Sequence, residues 1–181
     1  MNGREVLVGV TGGIAAYKTA ALVSRLVQSG AGVSVVLTES AARFVGPTTF
    51  AALTGRNVYT SLFDDPEYPL GGHIALAERA HLLCVAPATA NFLAKAAHGI
   101  ADDLLSTLYL VFSGPVVLAP AMNTAMWNKP AVQRNLRQLR EDGVQFVGPE
   151  EGWLSCRARG VGRMSDPDAI YAAIAERLAS V

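Results

Sequence analysis

The sequence predicts an α/β protein with a Rossmann-like, doubly wound parallel sheet in three layers. Several runs are apolar at nearly every position, which is typical of parallel strands covered on both faces. Segments with helical spacing alternate with these runs, as in repeated βαβ units. The 181 residues contain no internal repeat or linker, so we expect a single domain.

In the first half of the chain, two apolar runs predict strands. Residues 5–10 (EVLVGV) form the first, and residues 14–28 follow with helical spacing that stops at Gly30. Residues 32–37 form the second strand. Shorter helices are predicted at residues 47–53 and 73–79.

In the second half, three more apolar runs predict strands, and helical spacing recurs around them. The strands are predicted at residues 81–86, 115–119 and 144–147, and the helices at 90–97, 103–109, 130–141 and 167–179. Residues 148–166 (GPEEGWLSCRARGVGRMSD) have little periodicity and four glycines, which predicts a long loop. Loops of that length in compact domains are usually functional, and Trp153, Leu154 and Met164 favour one that folds over a site.

Composition excludes several classes of protein. Hydrophobic residues make up 51% and charged residues 17%, which provides a core and excludes a disordered chain. Basic and acidic residues balance at 15 each with no basic stripe, so we expect no nucleic-acid partner. The N-terminus lacks signal-peptide character, and no apolar run reaches the roughly 18–20 residues that span a bilayer. We therefore expect a cytoplasmic protein with no membrane partner.

The sequence has two cysteines and no metal-binding motif. Cys84 lies in an apolar run and Cys156 in a glycine-rich one, which does not suggest a disulfide framework. There is no CxxC or HExxH motif, so we expect no metal.

Small or polar residues follow four of the predicted strands. They are Thr11-Gly12-Gly13, Thr38-Glu39-Ser40, Pro87-Ala88-Thr89-Ala90-Asn91 and Pro120-Ala121-Met122-Asn123. The first loop is neither GxGxxG nor a Walker A loop, but its glycines let backbone N–H groups approach an anion. Each segment alone is equally explained by a tight turn or a helix cap. Because the carboxyl ends of parallel strands share one edge of the sheet, four together favour a ligand site.

Two further residues are candidates for chemistry. His73 precedes a predicted helix and could move protons near neutral pH, although a single histidine is more often a surface or capping residue. Cys156 lies among Arg157, Arg159 and Arg163, which would favour a thiolate or bind an anionic substrate; a solvated basic loop is the alternative.

The sequence resembles one family in its motifs. PAMNTAMW (residues 120–127) fits a PxMNxxMW motif, and PATAN (residues 87–91) resembles PASANT. GGIAAYK, HIALAERA, HGIADDLLSTL and GWLSCRARGVGRM extend the likeness over nearly the whole chain. These motifs are typical of the homo-oligomeric flavin-containing cysteine decarboxylases, and the most similar branch acts on phosphopantothenoylcysteine in coenzyme A biosynthesis.

The resemblance implies FMN as cofactor and assigns roles by position. The flavin-contacting residues would be Gly12, Gly13, Ile14, Thr38, Ser40, Thr89, Ala90, Asn91, Phe92 and Ala121. His73 matches the active-site histidine and Asn123 the amide that holds the substrate carboxylate. Met126 would join Met122 and Trp127 in an apolar wall beside that amide. Cys156 matches the cysteine of the substrate clamp, here at about residues 148–166.

The family also implies a reaction and an assembly. FMN oxidises the cysteinyl thiol to a thioaldehyde, loss of CO2 leaves an enethiolate, and in coenzyme A synthesis the reduced flavin then reduces it with the help of the clamp cysteine. Trimers or trimer-based dodecamers with FMN near subunit contacts are implied, so the site would borrow residues from a neighbour. The synthetase domain that bacteria commonly fuse to this decarboxylase is absent, so we expect a free-standing enzyme or an excised domain.

Two departures from the family pattern leave the substrate open. Phe92 replaces the threonine of PASANT, and Arg157 replaces the first glycine of the clamp pattern ACGxxGxGRM. The alternative substrate is the C-terminal cysteine of a peptide, which becomes an enethiol without the final reduction. A flavin prenyltransferase is disfavoured by the TGGIAAYK loop and by PxMNxxMW, and a non-enzymatic regulatory subunit by the retained His73, Asn123 and Cys156.

Overall fold

The computed structural model describes residues 1–63 and 72–180, and its centre is a parallel sheet. Six strands follow the order β3-β2-β1-β4-β5-β6, which is the order of a doubly wound fold. The strands are β1 (Glu5–Val10), β2 (Gly32–Leu37), β3 (Val58–Tyr59), β4 (Leu82–Ala88), β5 (Val116–Pro120) and β6 (Gln145–Phe146). β1 pairs with both β2 and β4, so the order reverses beside it. Ligands bind at such reversal points in open α/β sheets.

Helices cover both faces of this sheet. They are α1 (Ala16–Gln28), α2 (Glu39–Ala42), α3 (Pro47–Thr54), α4 (Gly72–Arg79), α5 (Ala90–His98), α6 (Leu104–Val111), α7 (Thr124–Trp127), α8 (Pro130–Glu141) and α9 (Pro167–Ala179). α1 packs against α3 and α9, whereas α5 packs against α6 and α8. Two layers of helix therefore enclose one layer of sheet.

The core consists of two clusters because successive strand residues point to opposite faces of the sheet. Val6, Val8 and Val10 of β1 are buried in one cluster, and Leu7 of the same strand in the other. Five consecutive residues of β1 are buried. Burial of both faces explains why this strand is apolar throughout instead of alternating.

The predicted fold class is confirmed, and the principal strands and helices lie within a few residues of their predicted bounds. Outside residues 148–166, three short elements were not predicted, namely β3, α2 and α7, each of two to four residues. Elements of this length carry too few residues to display a period.

The prediction of a long loop at 148–166 was wrong. Strands β7 (Glu150–Trp153) and β8 (Arg159–Arg163) form an antiparallel hairpin within it. Most side chains of these two strands are exposed or half-exposed, so hydrophobic alternation is too weak to mark them as strands.

The described part of the chain contains neither a membrane-spanning helix nor a metal-binding cluster. None of its helices combines the length and apolar character needed to cross a bilayer. Within the same residues, no group of three or more His, Cys, Asp and Glu side chains could hold a metal ion.

Candidate active site

A cavity of about 950 Å³ lies at the carboxyl ends of β1, β2, β4 and β5, with the β7–β8 hairpin forming part of its wall. The predicted flavin-contacting residues all line it: Gly12, Gly13, Ile14, Thr38, Ser40, Thr89, Ala90, Asn91, Phe92 and Ala121. Asn123, Met126 and Cys156 line it as well. Four strand ends thus meet at one site, as their pattern predicted.

The first loop presents unpaired backbone donors to the cavity. The N–H groups of Gly12, Ile14 and Ala15 have no acceptor among the described residues. Gly12 lies so close to Ser40 that an added Cβ would overlap the serine Cβ. This close approach requires glycine, and it leaves three N–H groups beside a hydroxyl at the start of α1. Such an arrangement can bind an anion.

Thr11 ties this loop to the end of β4. Its hydroxyl donates to the Pro87 carbonyl oxygen at 2.6 Å and accepts from the Thr89 N–H at 3.1 Å. Thr11 is 2% exposed, so the two hydrogen bonds are shielded from water. The bonds hold two neighbouring strand ends in fixed relative positions.

Helix capping and cavity lining turn out to be compatible. Thr38 accepts from the Ala41 N–H and Thr89 from the Phe92 N–H, so each caps the helix that it precedes. Phe92 itself is 3% exposed, and its ring packs edge-on against Tyr109. The departure from PASANT at this position is therefore accommodated in the core.

Asn123 has a side-chain orientation fixed by its cap. Its Oδ1 accepts from the Ala125 N–H at 2.7 Å at the start of α7. Because the oxygen must face that donor, Nδ2 faces the other way and donates to Cys156 Sγ at 3.3 Å. The second N–H of this amide has no acceptor among the described residues. The cavity thus contains a neutral donor pre-oriented for an anionic group.

The hairpin packs on the Asn123 loop through its glycines. The Met122 N–H donates to the Gly162 carbonyl oxygen at 3.0 Å, and a Cβ at Gly162 would overlap the Met122 carbonyl oxygen. A Cβ at Gly160 would lie 2.5 Å from Thr124 Oγ1. Two residues without side chains let β8 lie directly on the loop, which brings Cys156 over Asn123.

Every cationic side chain that lines the cavity already has an acidic partner. The pairs are Lys18 with Asp166 at 3.0 Å, Arg163 with Glu150 at 2.8 Å, and Lys95 with Asp102 at 2.6 Å and Asp103 at 2.8 Å. Arg163 Nε is buried without an acceptor in the described part of the chain, and it lies against Gly152.

Lys95 and Asp103 keep their charges through this pairing. Burial alone would lower the pKa of Lys95, but its hydrogen bonds to Asp102 and Asp103 raise the pKa above the usual value. Burial would likewise raise the pKa of Asp103, but hydrogen bonds from Lys95 and Ser106 lower it below the usual value. Lys95 and Asp103 therefore enter the cavity as a charged pair.

Sequence reasoning missed several lining residues, among them Tyr17, Lys18, Lys95, Asp102 and Asp103. Helical spacing could have identified two of them. Lys18 follows Ile14 by four positions in the predicted helix 14–28, and Lys95 follows Asn91 by four positions in α5. Residues four apart lie on the same face of a helix, so each lysine follows a predicted contact into the cavity.

Four predicted residues do not line the cavity of a single chain, namely His73, Trp127, Arg157 and Arg159. His73 lies in α4 and is half-buried, but it is not among the lining residues. Trp127 packs against the core cluster that contains Leu136, so the apolar wall beside Asn123 consists of Met122 and Met126 without it.

Comparison with known proteins identifies the family. The Flavoprotein family model matches residues 1–179. The coenzyme A biosynthesis bifunctional protein CoaBC of Bacillus subtilis is 51% identical over 170 residues, which is 94% of this chain and 42% of that protein. The chain thus spans less than half the length of this curated relative.

Solved structures extend the similarity over whole chains. The FMN-dependent cysteine decarboxylase SpaF is 41% identical with a TM-score of 0.85, covering 98% of this chain and 97% of SpaF. A PPC decarboxylase mutant complexed with pantothenoylaminoethenethiol is 31% identical with a TM-score of 0.84, covering 96% and 97%. The chain therefore belongs to the Flavoprotein family, among the flavin-containing cysteine decarboxylases.

Proposed function

We propose that the protein binds FMN and decarboxylates 4'-phosphopantothenoylcysteine to 4'-phosphopantetheine. The observation that carries this proposal is the Asn123 amide, whose Nδ2 faces the cavity and Cys156 at 3.3 Å. An amide donor and a thiol side by side suit a substrate that brings both a carboxylate and a sulfur-bearing carbon. The similarity to CoaBC and to the PPC decarboxylase supports this choice of substrate.

The cavity fits FMN on three counts. Its volume of about 950 Å³ is at the upper end of typical small-molecule sites. The unpaired N–H groups of Gly12, Ile14 and Ala15 suit a phosphate. The partial positive charge at the start of a helix and its free N–H donors can bind an anion without a cationic side chain. The hydroxyls of Ser40 and Thr38 line the same region and suit the ribityl chain. Bound FMN would supply a two-electron oxidation of the cysteinyl group and the return of both electrons after loss of CO2, so the net reaction would consume no oxidant.

The residues of the chain have separable tasks in this scheme. Asn123 orients the carboxylate by hydrogen bonding without neutralising it, which leaves the C–C bond free to break. The hairpin covers the cysteinyl end and excludes water from it. Cys156 lies beside the carbon that loses CO2, and its thiol gives that carbon a proton during the final reduction.

We further propose that the working site forms between copies of the chain in a homotrimer or trimer-based dodecamer. His73 is then the proton-transfer residue delivered by a second copy. Exposed apolar residues support this: Ile74 on α4 is 45% exposed, and Leu110 and Val111 on α6 are 48% and 43% exposed. α4 and α6 pack together, so these side chains extend an apolar surface beside His73.

A second candidate is the decarboxylation of a peptide with a C-terminal cysteine. The 41% identity to the cysteine decarboxylase SpaF over nearly the whole chain supports this second candidate function. The same Asn123 and His73 would serve, but no final reduction would follow.

A paired assay tests the proposal. The purified protein should be yellow and release FMN on denaturation; a colourless protein that cannot be reconstituted with FMN would refute it. Incubation with 4'-phosphopantothenoylcysteine, or with a peptide that ends in cysteine, is then followed by mass spectrometry. We expect CO2 loss from the first and the saturated thiol as product. Turnover of the peptide alone, or release of an enethiol, would favour the second candidate.

A further inference from the structure

We propose that Arg157 is a specificity residue that binds the phosphate monoester at the far end of the substrate. This inference rests on the proposed function, and it concerns a different part of the substrate from Asn123.

Arg157 occupies a position that the turn geometry reserves for glycine. The Leu154 N–H donates to the Ala158 carbonyl oxygen at 2.8 Å, and the Arg157 N–H to the Leu154 carbonyl oxygen at 2.9 Å. These bonds define a three-residue hairpin loop whose last residue adopts the left-handed conformation. Arg157 has φ = 62°, and it is the only residue other than glycine with positive φ in the described part of the chain.

A side chain in this conformation opposes formation of the turn. Glycine would form the same turn without strain, and several hairpin residues nearby are glycine, including Gly152 and Gly160. A strained residue at a functional site suggests that its side chain is used. The side chain of Arg157 is therefore the feature that needs an explanation.

Among the arginines of the hairpin, Arg157 is the one that pairs with no carboxylate of the described residues, and it lies outside the cavity lining. Lys18, Lys95 and Arg163 line the cavity, but each is held by a carboxylate. On the hairpin itself, Arg159 lies 3.6 Å from Glu151. Arg157 is exposed, and no carboxylate of the described residues pairs with it. It follows Cys156 directly, at the tip of the hairpin that covers the site.

The chemistry favours a phosphate over the cysteinyl carboxylate as its partner. A cation on that carboxylate would stabilise the ground state against loss of CO2, which would slow the reaction. A phosphate monoester carries up to two charges and does not react. A guanidinium binds it with two parallel N–H donors, a geometry that lysine cannot reproduce.

The experiment measures kcat/KM for 4'-phosphopantothenoylcysteine and for its dephosphorylated form. The ratio of the two is compared among the wild type, Arg157→Gly, Arg157→Lys and Arg159→Gln. Arg159→Gln removes the same charge from the same hairpin and is the matched control. Arg157→Gly relaxes the turn, so it should fold and melt at or above the wild-type temperature; Arg157→Lys keeps the charge in the event that glycine alters the hairpin.

We expect the wild type to prefer the phosphorylated substrate. The preference should fall about 10- to 100-fold in Arg157→Gly, the range for a lost charge-assisted hydrogen bond. It should fall less in Arg157→Lys and stay near the wild-type value in Arg159→Gln. An unchanged preference in both Arg157 variants would overturn the inference while leaving the proposed function intact. An equal loss of the preference in Arg159→Gln would also overturn the inference, because the preference would then depend on the total charge of the hairpin and not on Arg157. Turnover of neither small substrate would refute the proposed function and the inference together.

Discussion

At the scale of single residues, Asn123 shows how one side chain can serve structure and chemistry together. Its oxygen caps α7 through the Ala125 N–H, and this bond turns its nitrogen toward Cys156. The cap therefore sets the orientation of the donor. From the sequence alone, cap and ligand contact are competing interpretations, whereas in the structure one produces the other.

The variant Asn123→Asp separates these two roles. Aspartate also caps helices, so α7 should persist and the melting temperature should change little. The outward N–H donor becomes a carboxylate oxygen that repels the substrate, so kcat/KM should fall by about 100-fold or more. Activity near the wild-type value in a folded, FMN-loaded Asn123→Asp protein would remove Asn123 from the site.

The two cysteines should differ in reactivity. Complete burial raises the pKa of Cys84 to about 12, whereas Cys156 is exposed beside the cavity. Only the thiolate reacts with iodoacetamide, so at pH 8 we expect alkylation of Cys156 and none of Cys84 in the native protein. Peptide mapping by mass spectrometry measures this, with the urea-unfolded protein as a control in which both react. Labelling of native Cys84 would contradict its burial.

At the scale of elements, buried strands were predicted correctly from the sequence and exposed strands were not. β1 and β2 were predicted with their observed bounds because both faces are covered, which makes their sequences apolar throughout. The β7–β8 hairpin was missed because its strands are short and exposed, and its glycines serve contact with the Met122–Thr124 loop. Its role as a cover for a site was nevertheless suggested by Trp153, Leu154 and Met164, all of which line the cavity.

Glycine substitutions in β8 test how the hairpin is held. Gly162→Ala places a methyl group against the backbone oxygen of Met122, in a residue with φ = 146°, so the hairpin should detach. Gly160→Ala meets the Thr124 hydroxyl, a side chain that can rotate away, and should be milder. We expect faster proteolysis between residues 150 and 163 and at least a tenfold loss of kcat/KM in Gly162→Ala only. Equal behaviour of the two variants would contradict this account of the contact.

An ion pair at the amino-terminal end of β1, opposite the cavity, should make the free energy of unfolding depend on pH. Arg56 donates to both Glu5 carboxylate oxygens, at 2.6 and 2.9 Å, and this hydrogen bonding lowers the pKa of Glu5 although burial opposes it. Because the pKa of Glu5 is lower in the folded protein than in the unfolded chain, ionisation of Glu5 stabilises the fold at pH values above the unfolded pKa of about 4.3. This stabilisation is lost as the pH falls through the pKa of the folded state.

Glu5→Gln should therefore be less stable than the wild type at pH 7. We expect a difference of about 0.5–1 kcal/mol, modest because both side chains are partly exposed. The difference should shrink progressively below pH 4, as followed by thermal melts at several pH values. A constant difference from pH 7 to pH 3 would contradict the assignment.

At the scale of the whole molecule, the position of His73 is the main difference between sequence and structure. The predicted flavin-contacting residues line one cavity of one chain together with Asn123, Met126 and Cys156, whereas His73 does not. A single sequence encodes which strand ends meet, because that follows from sheet topology. The pattern of one sequence does not show how copies of the chain associate, because exposed apolar residues do not specify which surface of another copy they contact.

Mixed assemblies test the shared site. His73→Asn and Asn123→Asp should each be inactive alone, but a 1:1 mixture dissociated and reassembled should regain about a quarter of the wild-type sites if the two residues come from different copies. Asn123→Asp mixed with Cys156→Ser is the matched control, since both residues belong to one cavity, and it should yield no saturated product. Recovery in neither mixture, with hybrids shown to form, would contradict a site between copies.

The most direct test of the proposed function is the product that the assembled protein makes from 4'-phosphopantothenoylcysteine. FMN-loaded protein is incubated with this substrate without any added reductant, and the products are identified by mass spectrometry beside those of Cys156→Ser. We predict 4'-phosphopantetheine, one CO2 lighter and fully saturated, from the wild type, and the unsaturated enethiol from Cys156→Ser. Unchanged substrate with the FMN-loaded wild type, or an identical saturated product from both proteins, would contradict the account.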